Sequence, residues 1–115
     1  MIPFKCGEVV LLPFPFTDLT TTKQRPAIII SSDWYNQNRN DLIVVAITSQ
    51  IPLILKEEDL FLSESEQQVA GLPKKSIVKV TKLVTINQTL VRKKIGKVPK
   101  RTMKNVKKQL NKFLG

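Results

Sequence analysis

Leu42-Ile43-Val44-Val45-Ala46-Ile47 is a near-continuous aliphatic run bounded by Asp41 before it and Thr48-Ser49-Gln50 after it. Such a run, rich in β-branched residues, reads as a strand buried on both faces. A strand of that kind needs neighbours, and the flanking sequence supplies them. Upstream, Ala27-Ile28-Ile29-Ile30 is a second strand signal entered through Arg25-Pro26, where a proline is tolerated because its missing N–H falls at the strand edge. Glu8-Val9-Val10-Leu11-Leu12 follows Gly7 and is stopped by Pro13-Phe14-Pro15-Phe16, which predicts a first strand leaving through a stiff extended segment.

Between these strands lie two different connections. Thr17 to Gln24 has no apolar period and reads as an exposed loop. Ser31-Ser32-Asp33 offers side-chain oxygens that can cap a short helical turn through Trp34, Tyr35 and Asn36. Downstream, Leu53 to Leu62 is interrupted by Lys56-Glu57-Glu58-Asp59, which predicts two short edge pieces around an acidic turn. Ser76 to Thr85 alternates as a half-exposed strand with lysines on its polar positions, and Lys94 to Val98 is another short strand. From Pro99 to Leu114 the period changes: Met103, Val106, Leu110, Phe113 and Leu114 form one apolar stripe of an amphipathic helix, and Gly115 stops it. Several short strands and one terminal helix, without βαβ alternation, predict a mainly β (α+β) domain over 1–115. Its sheet is small, antiparallel and strongly bent, or a partly open barrel, with the helix packed on it.

Charge is distributed unevenly. Residues 1–73 hold five Lys/Arg and all nine acids, whereas residues 74–115 hold fourteen Lys/Arg and no acid. A field of that sign attracts polyanions in a salt-dependent way, although a solvated basic face would look the same. No apolar run approaches the roughly 20 residues of a membrane-spanning helix, and Met1 to Lys5 lacks the features of an export signal, so the chain reads as cytoplasmic. Cys6, alone, reads as a small packing residue.

The chemistry that is missing narrows the function. With no histidine in the chain, imidazole acid–base catalysis and histidine metal sites are excluded. One cysteine and four scattered glycines exclude thiolate zinc sites and glycine-rich phosphate loops, and no cofactor or metal is expected. What remains is arginine, lysine, hydroxyls and amides. That set suits phosphate: a guanidinium offers a bidentate fork to phosphate oxygens, and RNA carries its own nucleophile in the 2′-hydroxyl.

Gly7-Glu8-Val9-Val10 with Pro13-Phe14, Arg25 to Ser31, Val45 to Gln50, Gly71 to Val78, and Lys94 to Val98 followed by a terminal helix together resemble the MazF/PemK toxin family in kind, order and spacing. The resemblance implies an SH3-like small barrel, a homodimer, and metal-independent cleavage of single-stranded RNA, leaving a cyclic phosphate and a 5′-hydroxyl. It implies Arg25 and Thr48 as catalytic residues, with an acidic antitoxin protein as partner. Secondary candidates for substrate binding are Thr20, Lys23 and Gln24 in the loop, Ser49 and Gln50 after the central strand, and Lys79 and Lys82 on the later one. Thr48 could instead satisfy its own turn, and Arg25 could form a rim salt bridge.

Two departures from the family pattern stand out. The loop before Arg25-Pro26 offers Asp18 but no glutamate, and the terminal helix is wholly basic. Trp34 and Tyr35 are expected to pack rather than stack on bases. Competing readings are a non-catalytic binding module of SH3-like form and a gyrase-poisoning toxin of the CcdB type. The plentiful Leu, Ile and Val predict leftover apolar surface for a second copy, with Val106, Leu110 and Phe113 either there or against the chain's own barrel.

Overall fold

The computed structural model describes residues 4–13 and 24–115. Six strands form one sheet in the order β4-β5-β3-β2-β1-β6, every neighbouring pair antiparallel. They are β1 (Glu8–Pro13), β2 (Gln24–Ile29), β3 (Asp41–Thr48), β4 (Asp59–Phe61), β5 (Ile77–Asn87) and β6 (Lys93–Lys97). Helices α1 (Asp33–Asn38), α2 (Glu64–Val69) and α3 (Lys100–Leu114) complete the chain, with a short 3-10 turn at Gln88–Leu90. The sheet is bent and small-barrel-like but does not close, because β4 and β6 remain its two edges.

The run that decides the fold lies at its centre, and both its faces are covered. Val45 and Ile47 point into one apolar core with Val9, Ile28, Val78 and Val106. Leu42, Val44 and Ala46 point into a second, with Val10, Leu12, Ala27 and Ile29. The period of two thus divides each central strand between two cores. α3 covers the first through Met103 and Val106, while Leu110 packs at its margin and Phe113 and Leu114 stay largely exposed.

Bending has identifiable sources. On β5 the register with β3 jumps between Val45, opposite Leu83, and Ala46, opposite Lys79, so Val80, Thr81 and Lys82 bulge out of the ladder. A smaller shift separates Val9 and Val10 against β6. Pro26 sits in an interior strand, but the β2–β3 ladder begins only at Ala27, so the proline lies beyond the last β2–β3 pair, where its missing N–H breaks no rung with β3.

Other expectations require correction. Gln24 is the first residue of β2 rather than a loop residue. Only one of the two edge pieces forms, β4, and its Asp59 is buried instead of belonging to an exposed turn. Ile51, Leu53, Ile54 and Leu55 are exposed outside any strand. Trp34 is 60% exposed, with the Arg39 guanidinium 5.0 Å from its ring centroid, so packing does not account for it. Helix α2 was not anticipated, although Ser63 and Glu66 form a capping box at its start.

Candidate active site

β2 and β3 run antiparallel with Ala27 opposite Ala46. Two residues further along the same register come Arg25 and Thr48, at the ends where the strands leave the ladder. Arg25 is also paired with Leu12 of β1, and Thr48 with Ile77 of β5, so the two polar residues occupy the middle of a rung that crosses four strands. Both are half-buried. Above this rung opens a cleft of about 250 Å³, lined by Arg25 and Thr48 together with Gln24 and Ser49. Its apolar side comes from Leu11, Ile47, Leu72 and Ile95.

The Thr48 hydroxyl oxygen accepts the backbone N–H of Gln50 at 3.1 Å. This is the turn-satisfying role, yet it fixes the oxygen while leaving the hydroxyl proton available to donate. Gln50 takes part only through that N–H, since its side chain does not line the cleft.

The remaining wall is the segment after α2. Lys74 and Ser76 line the cleft, and the Ser76 hydroxyl donates to the Lys74 carbonyl at 2.9 Å, holding the turn that presents the lysine. The position of this wall depends on two glycines. Gly71 has φ +73° and lies so close to β6 that a Cβ would fall 1.9 Å from the Ile95 carbonyl oxygen. Reciprocally, a Cβ on Gly96 would fall 2.3 Å from the carbonyl carbon of Ala70. The Gly-Leu-Pro-Lys and Lys-Ile-Gly segments, separate motifs in the sequence, are therefore two halves of one backbone contact. Lys74, within the Gly71 to Val78 motif, is brought by this contact to the cleft that Arg25 lines, a placement its own segment does not signal.

Other candidates fall elsewhere. Lys79 forms a salt bridge at 3.2 Å to Asp59, whose side chain is 1% exposed, and it does not line the cleft. Lys82 is exposed in the β5 bulge and is likewise absent from the lining. Thr20 and Lys23, with Asp18, lie outside the described residues. Among the described residues no group of three or more cysteine or acidic side chains could hold a metal ion, and no helix is long and apolar enough to cross a membrane. Burial raises the Cys6 thiol above its ordinary range, partly offset by Lys107, and its Sγ donates to the Ile30 carbonyl at 3.6 Å, as befits a packing residue.

A bent antiparallel sheet whose strand ends gather an arginine, a lysine and fixed hydroxyls, in a chain without histidine, defines a small β protein with side chains suited to binding phosphate. The family model described as "PemK-like, MazF-like toxin of type II toxin-antitoxin system" matches residues 5–114, and the chain belongs to that family. It is 36% identical over 93 residues to endoribonuclease MazF6 of Mycobacterium tuberculosis, covering 80% of this chain and 79% of that one. Endoribonuclease MazF2 of Mycobacterium bovis matches to the same extent. In fold, the chain superimposes on MazF of Deinococcus radiodurans with a TM-score of 0.78 at 18% identity, covering 100% of this chain and 99% of the other. A mycobacterial endoribonuclease in complex with its cognate antitoxin gives 0.76 at 20% identity, with 100% and 96% covered.

Proposed function

We propose that this chain is the toxin of a type II toxin–antitoxin pair and cuts single-stranded RNA without a metal or cofactor. The observation that carries the reading is the cross-strand placement of Arg25 and Thr48 over a cleft that also receives Lys74. The relatives' endoribonuclease names support the same activity.

In the reaction, the 2′-oxygen attacks the neighbouring phosphorus, the bond from phosphorus to the 5′-oxygen breaks, and the proton lost from the 2′-hydroxyl is balanced by one gained at the leaving oxygen. The products are a 2′,3′-cyclic phosphate and a 5′-hydroxyl. Arg25 stabilises the charge that builds on the phosphoryl oxygens, Thr48 donates a hydrogen bond to the same group, and Lys74 holds the adjacent strand. Gln24 and Ser49 contribute amide and hydroxyl contacts at the rim.

The whole chain acts as one domain in the cytoplasm, where messenger RNA is available. Exposed Leu53, Ile54 and Leu55, together with Phe113 and Leu114, supply apolar surface for a homodimer. The two patches are adjacent, because Gln109 and Lys112 of α3 both bond to Glu57. The antitoxin contributes an acidic segment, complementary to the basic last third.

Purified protein in excess EDTA should convert a mixed single-stranded RNA to fragments with cyclic-phosphate ends, and Arg25→Ala should stop it while leaving the circular dichroism unchanged. Undiminished cleavage by that variant rejects the assignment.

A further inference from the structure

A second and larger cavity, about 830 Å³, lies where β1 begins and where β2 and β6 end. The Arg25 cleft lies where β1 ends and β2 begins. The two are therefore at opposite ends of the strands, separated by roughly 17–20 Å along a strand of this length.

Five lysines line this groove, Lys5, Lys97, Lys100, Lys104 and Lys107, with Arg101, against one carboxylate, Asp33. That carboxylate already accepts the Cys6 backbone N–H at 2.9 Å. None of the five lysines forms a salt bridge among the described residues. Lys100, Lys104 and Lys107 stand at i, i+4 and i+7 on one face of α3, an exposed row about 10 Å long. Such a row costs stability through like-charge repulsion. The cost rises because Lys100 and Arg101 occupy the first turn of a helix that has no acidic residue or side-chain cap there. A linear polyanion lying along the helix would relieve it.

The geometry separates the occupants that such a groove could take. A small anion would meet one end of the row only. An acidic segment that folds on binding needs apolar anchors to offset its ordering, and the apolar residues here, Val98 and Met103, are already buried at 3% and 8% exposure. A phosphodiester backbone needs only positive charge at intervals along a line.

We propose that this groove is a second RNA subsite, which holds the backbone of the substrate strand several nucleotides from the phosphate in the Arg25 cleft. The inference rests on the RNA-cleaving reading and adds to it a dependence on substrate length.

The test uses the full chain and fully 2′-O-methylated single strands, which bind but cannot be cut, at lengths of about 4 and about 16 nucleotides. The parent is compared with Lys100→Gln/Lys104→Gln/Lys107→Gln, three exposed positions. For the longer strand the slope of log affinity against log salt should fall by about 2 in the variant, since each single-strand phosphate contact contributes about 0.7. Its affinity at low salt should fall about tenfold or more, while the short strand binds both proteins alike. Equal slopes for the long strand, or equal losses at both lengths, would overturn the subsite. So would a loss seen only for a polyglutamate peptide, which would assign the groove to an acidic protein. A parent that binds the long strand with the expected slope yet cuts no RNA would remove the nuclease reading and leave the groove standing.

Discussion

Arg25 and Thr48 stand opposite each other on β2 and β3, in the register set by Ala27 and Ala46 and two residues beyond the last pair of the ladder. There the strands no longer exchange hydrogen bonds with each other, and cross-strand side chains can turn toward a ligand. The pair therefore separates by role under substitution. Thr48→Ser should retain most cleavage, whereas Thr48→Val, which keeps the shape and loses the donor, should slow it by about 10²-fold or more. Single-turnover cleavage of a defined RNA measures both, and equal rates for Val and Ser would show that the hydroxyl only serves the Gln50 turn.

The backbone contact between the segments around Gly71 and Gly96 should be intolerant of a methyl group. Gly96→Ala forces Ala70 and β6 apart and should destabilise the fold by about 2–3 kcal/mol, a drop in Tm on the order of 10 °C. Gly71→Ala adds an unfavourable positive φ to a similar clash. Thermal melts check the cost. Below the melt, either variant should also cleave more slowly, because the wall that carries Lys74 shifts.

Lys79 serves Asp59. Lys79→Met leaves a buried carboxylate without its cation and should cost about 3 kcal/mol in urea unfolding. Adding Asp59→Leu removes the stranded charge and should recover most of that loss. Should the double variant fold well but bind RNA much more weakly, Lys79 would have a substrate role besides.

Glu66 links α2 to α3. It accepts the Ser63 backbone N–H at 2.9 Å and a hydrogen bond from the Thr102 hydroxyl. Burial alone would raise its carboxyl; the hydrogen bonds from Thr102 and Ser63, with the Arg101 charge, outweigh that and hold it below the usual range. A carboxylate depressed on folding stabilises the protein fully above its unfolded value, about 4.3, and loses that contribution as the pH falls further. Glu66→Gln should therefore lower stability by about 1 kcal/mol at neutral pH, with the gap from the parent narrowing below about pH 4. A gap that does not change with pH would mean that charge is not involved.

Much of this fold was legible because the central strands carry unbroken apolar runs, which two-sided burial explains. Val44 to Ile47 alternate between the two cores as that reading requires, and Val9 enters one core while Val10 enters the other. The terminal helix was equally plain from its stripe. Legibility failed where tertiary contact overrides local pattern. Asp59 sits in an acidic run that looks like a solvated turn, and the ion pair with Lys79, 20 residues further along the chain, is what offsets its burial. α2 is short and buries no residue of its own, so no apolar period marks it, and only the Ser63/Glu66 spacing could have found it. Within the site, Arg25, Thr48, Gln24 and Ser49 come together from strands whose pairing the motifs implied. Lys74 joins them through a contact between glycines 25 residues apart in the chain, which no local pattern records.

β6 is the last strand in the chain, yet it pairs with β1, the first, and the Ala70–Gly71 corner that carries the cleft wall rests on its Ile95 and Gly96. A growing polypeptide that has emerged only as far as β5 already contains Arg25, Thr48 and Lys74, but it has nothing for that corner to lean on. The cleft wall therefore takes its position only once β6 has docked beside β1, so the two ends of the sheet's chain order jointly hold a site whose polar residues lie between them.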